Sequence, residues 1–408
     1  MNEKGYLSKA VFANTAFLNA YEAGKFWRGN LDKNMLRKSF SWEHLNDALS
    51  TNRITNDRFR LSLKSAYAAP NKQVFLPTKD GFGRPTDYLL ISELHRQLQF
   101  GATGVFESIH EIFPEIEILI EALSARYYSR SEANAYISFG TTSGFGVHND
   151  DHDVLVCQIE GKKRWNFFGS PSKKFKATVN DLKFPSEMDI TEKLILSEGD
   201  ILFIPKGTWH DVEAIAEPSL HLTISLVYPS VHDYLAWILT QNKFSTPYQD
   251  IKLATKNLHQ IAESSKTFFN TAISEESVAT FIKTYYSRYP SIRNRPCFPS
   301  LNAPSLEDCY QKIPFSFVDI SNDANQETHN IIALGKKHRL NPPAYKLLSN
   351  MQVGESYSGK QLLDMCHEHS DTWASVTATV QNLLDEGLIS KRKNSTFQKD
   401  CGMTFDEA

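Results

Sequence analysis

The sequence predicts an α+β protein. Its centre is an antiparallel barrel of short strands with helical flanks, followed by a helical middle region and a C-terminal winged-helix module. Three observations lead there. From residue 133 the apolar pattern changes from a period near 3.6 to alternation. Turn-forming pairs then divide the stretch to 228 with no helical pattern between them, as in antiparallel barrels or sandwiches. Beyond 229 the helical period returns, and the chain closes on three short helical patterns and a strand start.

Length and composition set the bounds. At roughly 100–200 residues per domain, 408 residues imply two or three domains. A hydrophobic fraction of 41% and a charged fraction of 22% are ordinary globular values and exclude wholesale disorder. The longest apolar runs, such as Tyr234–Leu239, are far short of the ~20 residues a membrane span requires. The first ten residues lack the apolar stretch of a secretory signal. Five scattered cysteines, with no C-x-x-C pair, suit a reducing compartment, and a cytoplasmic location is expected. A net charge of −3 offers no general attraction for nucleic acid.

The domain boundaries are expected at 1–228 for the barrel with its flanks, 229–335 for the helical middle and 336–408 for the C-terminal module. In the first region, Trp42, Leu45 and Leu49 read as an amphipathic helix, and 86–126 as mostly helical. In the middle region, Ser274 is placed to cap a helix on which Val278, Phe281, Ile282 and Tyr285 share a face. The prolines between 289 and 304 mark a loop. Further on, helices are expected after Pro342–Pro343, after Ser358 and from about Thr372, the last ending near Gly387 before a strand.

The barrel strands are expected at 134–139, 147–159, 162–168, 200–205 and 219–228. Alternate residues of a strand share a face. One face then carries Asn134, Tyr136 and Ser138; another His148, Asp150 and His152; another His221, Thr223 and Ser225, opposite Leu220, Leu222, Ile224 and Leu226. So many small or polar faces suit a barrel with a ligand-holding interior.

One constellation carries chemistry. His148-Asn149-Asp150 is followed some sixty residues later by His210, in Pro205-Lys206-Gly207-Thr208-Trp209-His210. Two imidazoles and one carboxylate are the facial triad of non-haem ferrous iron, which leaves positions open for a bidentate cosubstrate and oxygen. An isolated H-x-D is a weak signal whose usual fate is a solvated loop; the later histidine strengthens it. His152 and His221 compete as ligands, His221 alternatively being a satisfied interior histidine.

These residues carry a resemblance. The run N-A-Y-I-S-F-G-T-T-S-G-F-G-V-H-N-D-D-H-D-V-L-V-C-Q-I-E-G-K-K-R-W, then E-G-D-I-L-F-I-P-K-G-T-W-H and S-L-H-L-T-I-S-L, resemble in order and spacing the JmjC-type cupin core of the ribosomal oxygenases and their bacterial relatives. The motifs span about 95 residues. The resemblance implies a double-stranded β-helix (cupin or jelly-roll) barrel and an Fe(II)- and 2-oxoglutarate-dependent oxygenase acting on a side chain of a protein or peptide. It implies His148, Asp150 and His210 as iron ligands, and Lys163 as the partner of the distal carboxylate of 2-oxoglutarate. Asn134, Tyr136 and Ser225 match positions beside the cosubstrate. Lys163 has a second reading as a surface lysine of the K-K-R turn, and Trp165 and Trp209 read as packing residues. Where many relatives carry an aromatic residue between the two ligands, this chain has Asn149. The acidic run that follows either faces a basic substrate or is a solvated strand end.

The helical middle is expected to make a homodimer, or else to pack back on the barrel. The C-terminal module holds nine Lys/Arg and nine Asp/Glu from 336 onward, which disfavours nucleic acid and favours a protein contact. The rival readings are a non-catalytic cupin and winged-helix binding protein, a barrel using another divalent metal, and a JmjC-type demethylase.

Overall fold

The computed structural model describes residues 5–63, 74–141, 143–168, 189–241, 258–288, 303–313, 318–319, 328–352, 355–366 and 372–392. The expected proline-rich loop lies outside them, apart from its last residues. The chain divides into two compact units, one of residues 1–126 and 130–227, the other of 127–129 and 228–408. Among the described residues no helix is long and apolar enough to cross a membrane.

The first unit has twelve strands: β1 (Trp27–Asn30), β2 (Phe59–Ser62), β3 (Phe75–Lys79), β4 (Pro85–Leu89), β5 (Thr103–Phe106), β6 (Arg130–Ser138), β7 (Asp153–Glu160), β8 (Lys163–Phe167), β9 (Glu192–Leu196), β10 (Asp200–Ile204), β11 (His210–Ala214) and β12 (Ser219–Val227). Seven form one sheet in the order β1-β10-β7-β12-β6-β5-β2, and three form a second in the order β11-β8-β9. The α+β class holds, but no sheet closes into a barrel. The expected double-stranded β-helix barrel is replaced by two open antiparallel sheets. The reason lies at the edges. β1 takes the free edge of β10, and β5 with β2 extends the sheet beyond β6. Among the described residues, the two sheets are joined by isolated bridges alone, Ser143 to Glu213 and His148 to His210.

The two sheets nevertheless share a core. Val154, Val156, Leu202 and Ile204 of the large sheet pack with Trp165, Phe167 and Leu196 of the small one. The opposite face of the large sheet is also apolar: Ala133, Ala135, Leu222, Ile224, Cys157 and Phe203 are buried there. Phe203 meets Phe17 edge-on at 5.8 Å, which seats the helix Thr15–Glu22 on that face. Asn14 caps this helix by accepting from the Phe17 amide. The expected helix at Trp42 runs Trp42–Thr51 and is capped by Ser41. The stretch 86–126 is only partly helical, because β4 and β5 frame the helix Ile91–Gln99 before the helix Pro114–Tyr127.

In the second unit the expected helices form at Val231–Gln241 and Glu275–Arg288, the latter capped by Ser274, with Leu258–Ala272 between them. Tyr234, Ile238 and Phe281 form their core, packed by Trp237, Ile282 and Tyr285. Among the described residues, the later part of the expected helical middle carries short strands instead: β13 (Cys309–Lys312), β14 (Val318–Asp319) and β15 (His329–Ala333), the last paired with β16 (Lys336–Leu340). The helices Pro342–Asn350, Gly359–Cys366 and Trp373–Asp385 follow, together with β17 (Ser356–Ser358) and β18 (Ile389–Arg392). The winged-helix outline is corrected in one respect. Among the described residues β18 pairs with β13, not with a strand that follows it, and β13 is the middle strand of β17-β13-β18. Tyr310 of β13 is fully buried and chains the segment before 336 to the helices after it.

The turn between β7 and β8 is sterically exacting. Gly161 has φ +68, and a Cβ there would lie 1.8 Å from the Pro218 carbonyl oxygen. Gly161→Ala should therefore destabilise the protein by about 2–4 kcal/mol. Denaturant unfolding of the two proteins measures this, and an unchanged midpoint would show that the turn relaxes freely.

Candidate metal centre

The ligand atoms of His148, Asp150 and His210 all lie within 4.8 Å of one another, the one such cluster of metal-ligating residues among the described residues. Their convergence does not come from a common strand face. β7 begins at Asp153, so His148 and Asp150 sit in the irregular segment before it, and the expected strand 147–159 is shortened at its start. A backbone clasp replaces the strand. The His148 amide donates to the His210 carbonyl at 2.9 Å, and the His210 amide donates to the His148 carbonyl at 2.8 Å. The segment is tied down twice more: Gly207 N–H donates to the Asp150 carbonyl at 2.9 Å, and Lys206 N–H to the Asp153 carboxylate at 2.7 Å.

This clasp sets the two imidazoles 4.4 Å apart, centre to centre. It also places an acceptor behind each. Nδ1 of His148 lies 2.9 Å from the Gly146 carbonyl and Nδ1 of His210 lies 3.0 Å from the Thr208 carbonyl. A carbonyl oxygen only accepts, so both Nδ1 atoms carry the proton and both Nε2 lone pairs are free for a metal. Nε2 of His210 is 3.8 Å from Oδ2 of Asp150. Burial, with the neighbouring His148 adding to it, pushes the His210 imidazole down to about 4, which keeps it neutral near pH 7. Two imidazoles with free Nε2 atoms and a carboxylate, brought together in this way, fit a divalent first-row metal.

The competing histidines stand elsewhere. His152 pairs with Asp151 through Nδ1 at 2.9 Å, outside the cluster. His221 is buried on β12, with its ring stacked on Tyr136 at 4.9 Å. Lys163 opens β8 and is 2% exposed, which rules out the surface-turn reading. Its ammonium has no hydrogen bond or ion pair among the described residues, and burial pushes it down to about 7. Asn134 and Ser225 are committed to the backbone: Asn134 Oδ1 accepts from the Ser108 amide at 2.8 Å, and Ser225 Oγ donates to the Glu132 carbonyl at 3.3 Å.

Trp165 has a larger part than packing alone. Its ring lies 5.6 Å from His210 and 5.9 Å from His221, so it spans the space between the metal ligands and the polar layer of the large sheet. The alternation Lys163-Trp165-Phe167 carried that signal. The carbonyls of Gly146 and Thr208 had no sequence signal, because any residue supplies one.

Comparison with known proteins agrees with this centre. Residues 110–234 match the sequence model of the JmjC domain. Over that stretch the chain is similar to JmjC domains, and the relatives it matches include a ribosomal oxygenase. A second model, described as an AraC-like ligand binding domain, matches residues 191–281. The chain is 29% identical over 132 residues to a Drosophila mojavensis protein named bifunctional lysine-specific demethylase and histidyl-hydroxylase NO66, covering 31% of this chain and 15% of the relative. It is 30% identical over 110 residues to ribosomal oxygenase 1 of Gallus gallus, covering 26% of this chain and 18% of that one. The matches thus span less than a fifth of these relatives' length. The structure of YcfD, a ribosomal oxygenase from Escherichia coli in complex with cobalt and succinic acid, shares the fold with a TM-score of 0.57 at 15% identity, over 92% of this chain and 98% of that one.

If the three side chains hold one ion, the wild-type protein should bind one Mn(II) or Co(II) per chain. Asp150→Ala and His148→Ala should each weaken that binding by at least about 100-fold while the circular-dichroism melt is retained. Calorimetric titration measures both. An undiminished affinity in Asp150→Ala would place the ion elsewhere.

Proposed function

We propose that the chain is an Fe(II)- and 2-oxoglutarate-dependent oxygenase that hydroxylates a side chain of a protein or peptide. The observation that carries this reading is the pairing of a converged His148–Asp150–His210 triad with a buried ammonium, Lys163, that has no anionic partner among the described residues. An unpaired buried charge is costly, and an anionic cosubstrate reaching from the metal would relieve it. A non-catalytic barrel has no use for either feature, and a non-oxidative metal enzyme has no use for the lysine.

Bound iron supplies the redox chemistry that couples the decarboxylation of 2-oxoglutarate by dioxygen to the hydroxylation of a C–H bond. The chain's own residues do the rest. His148, Asp150 and His210 would hold the ion, and the cosubstrate would bind to it beside them. Lys163 pairs with the distal carboxylate, and Tyr136 lines the same space. Asn134 and Ser225, held by backbone bonds, shape the wall beside it. Trp165 and Phe167 exclude water from the apolar side.

The substrate class is carried over from the relatives named for histidyl hydroxylation and ribosomal oxygenation. Hydroxylation is favoured over demethylation because one relative is named for histidyl hydroxylation as well as demethylation and the other for ribosomal oxygenation alone. The charge-balanced C-terminal region, with the division 1–228, 229–335 and 336–408, suits a protein contact better than nucleic acid. The scattered cysteines support a cytoplasmic site of action. The aromatic cluster around Trp237 and Phe281 supports a homodimer through the helices of 229–288.

With Fe(II) in air the protein should convert 2-oxoglutarate to succinate, and without oxygen it should not. Lys163→Ala should raise the 2-oxoglutarate requirement by about 10–100-fold and leave the iron requirement unchanged. Separate titrations test this, and an equal requirement in the variant would remove Lys163 from the site. For the dimer, sedimentation at micromolar concentration should give about twice the 46.4 kDa chain mass. A monomer would reject it.

A further inference from the structure

Beside β11 the segment that leads to β7 forms an arch. It meets β11 at two bridges, Ser143 to Glu213 and His148 to His210. Between the bridges lie four residues of the segment, 144–147, and two of the strand, 211 and 212. The longer side must bow. Gly146 lies in the bow with φ +72, a conformation that favours glycine. An amide lifted out of a strand ladder needs another acceptor. Ser143 supplies it: the Gly146 amide donates to Ser143 Oγ at 2.8 Å. That oxygen carries one proton of its own, which it donates to Oδ1 of Asp211 at 2.5 Å. Asp211 follows the ligand His210, so its side chain leaves the other face of β11. It lies outside the cluster of ligand atoms. It is 8% exposed, and the chemistry proposed above gives this buried carboxylate no task.

We propose that Asp211 is a positioning residue for the metal centre, acting on His148 through Ser143 and Gly146. This rests on the metal-centre reading above and adds to it the support behind one ligand. The ring of His148 takes its direction from the Gly146 carbonyl, 2.9 Å from Nδ1. No substitution deletes a carbonyl, but freeing the amide of the same residue lets the carbonyl turn. The carboxylate holds the hydroxyl, the hydroxyl holds the amide, and the amide fixes how Gly146 presents its carbonyl. Glycine makes the tether necessary, because a residue without Cβ has a wide range of backbone conformations. His210 is supported differently. Its acceptor, the Thr208 carbonyl, stands in a turn closed by the Thr208 amide and hydroxyl, which both donate to the Pro205 carbonyl.

The test uses the full chain and Co(II) alone, under nitrogen. Calorimetry reads the affinity. The visible absorption of the ion reads its ligand geometry, which a residue that only stabilises the fold does not alter. Ser143→Ala and Asp211→Ala should each weaken Co(II) binding by about 10–100-fold and shift the absorption bands. The double variant should lose no more than about threefold beyond either single one, because both cut the same chain. Asp211→Asn keeps an oxygen for the Ser143 hydroxyl and should stay within about threefold of wild type, with the wild-type spectrum. Ser62→Ala is the control for loosening alone. Ser62 Oγ donates to the Gly144 carbonyl in the same arch, outside the chain from Asp211 to Gly146. Its loss should lower the melting temperature and leave the Co(II) affinity and spectrum unchanged. Wild-type affinity and spectrum in folded Ser143→Ala overturn the proposal. So does an equal loss in Ser62→Ala, which would make the tether a plain loop staple. So does a loss in Asp211→Asn as large as in Asp211→Ala, which would make the carboxylate act by its charge. If Asp211→Ala does not fold, Ser143→Ala and Asp211→Asn decide. A wild-type chain that binds no Co(II) overturns the metal-centre reading instead.

Discussion

Everything at the metal centre depends on the reciprocal backbone clasp between His148 and His210. Two amide–carbonyl bonds join an irregular segment of one sheet's border to the first residue of a strand in the other. They place two side chains on the same spot without a shared strand. The same arrangement is repeated within each half: each imidazole turns its Nδ1 to the carbonyl two residues before it. The proton on each ring is thus positioned by main chain, which no side-chain substitution nearby can remove. The Gly207–Asp150 bond then fixes the third ligand to the turn that carries the second histidine.

Much of this was legible in the residues, and the rest was hidden for physical reasons. The alternation from 133 reported the inward faces correctly, down to Leu220, Leu222, Ile224 and Leu226 on the buried outer face of β12. The triad was legible because the weak His148–Asp150 pair is followed by His210 at a strand end, which together supply the two imidazoles and one carboxylate of a metal site. Closure was not legible. A strand's pattern says which face is buried, never which strand occupies its edge, and the edge of β10 is taken by Trp27–Asn30 from far upstream. Those four residues, with a glycine among them, are too short to show a period. β9 and β11 escaped for a similar reason: β9 is half exposed, and β11 begins on the ligand itself. Lys163 looked like a turn residue because its neighbours Lys162 and Arg164 are surface cations, paired with Glu217 and Glu213.

The space between the two sheets is divided along its length. One part is filled by Val154, Val156, Leu202 and Ile204 against Trp165 and Phe167. The other carries Lys163, His221 and Tyr136. The apolar part holds the sheets together, so the polar part can keep the Lys163 ammonium without an anionic partner among the described residues. An anion that paired with Lys163 would offset the cost of burying that charge and stabilise the folded state by mass action. Stability and function therefore compete in one layer of the molecule, separated by two residues of strand.

The edge strand β1 has a consequence for how the chain acquires its shape. Arg28 and Asp200, which form an ion pair at 2.7 Å across the β1–β10 junction, are 172 residues apart in sequence. During synthesis β1 emerges well before β10 and waits for most of the unit to follow before its partner exists. Contacts of such sequence separation carry a large loop-closure cost and form late. Until then β10 presents unpaired amides and carbonyls along its edge, the kind of edge through which nascent chains join one another. The aromatic ring of Phe17, which meets Phe203 of β10 just upstream of β1, brings the N-terminal segment to that edge and so serves as its guard.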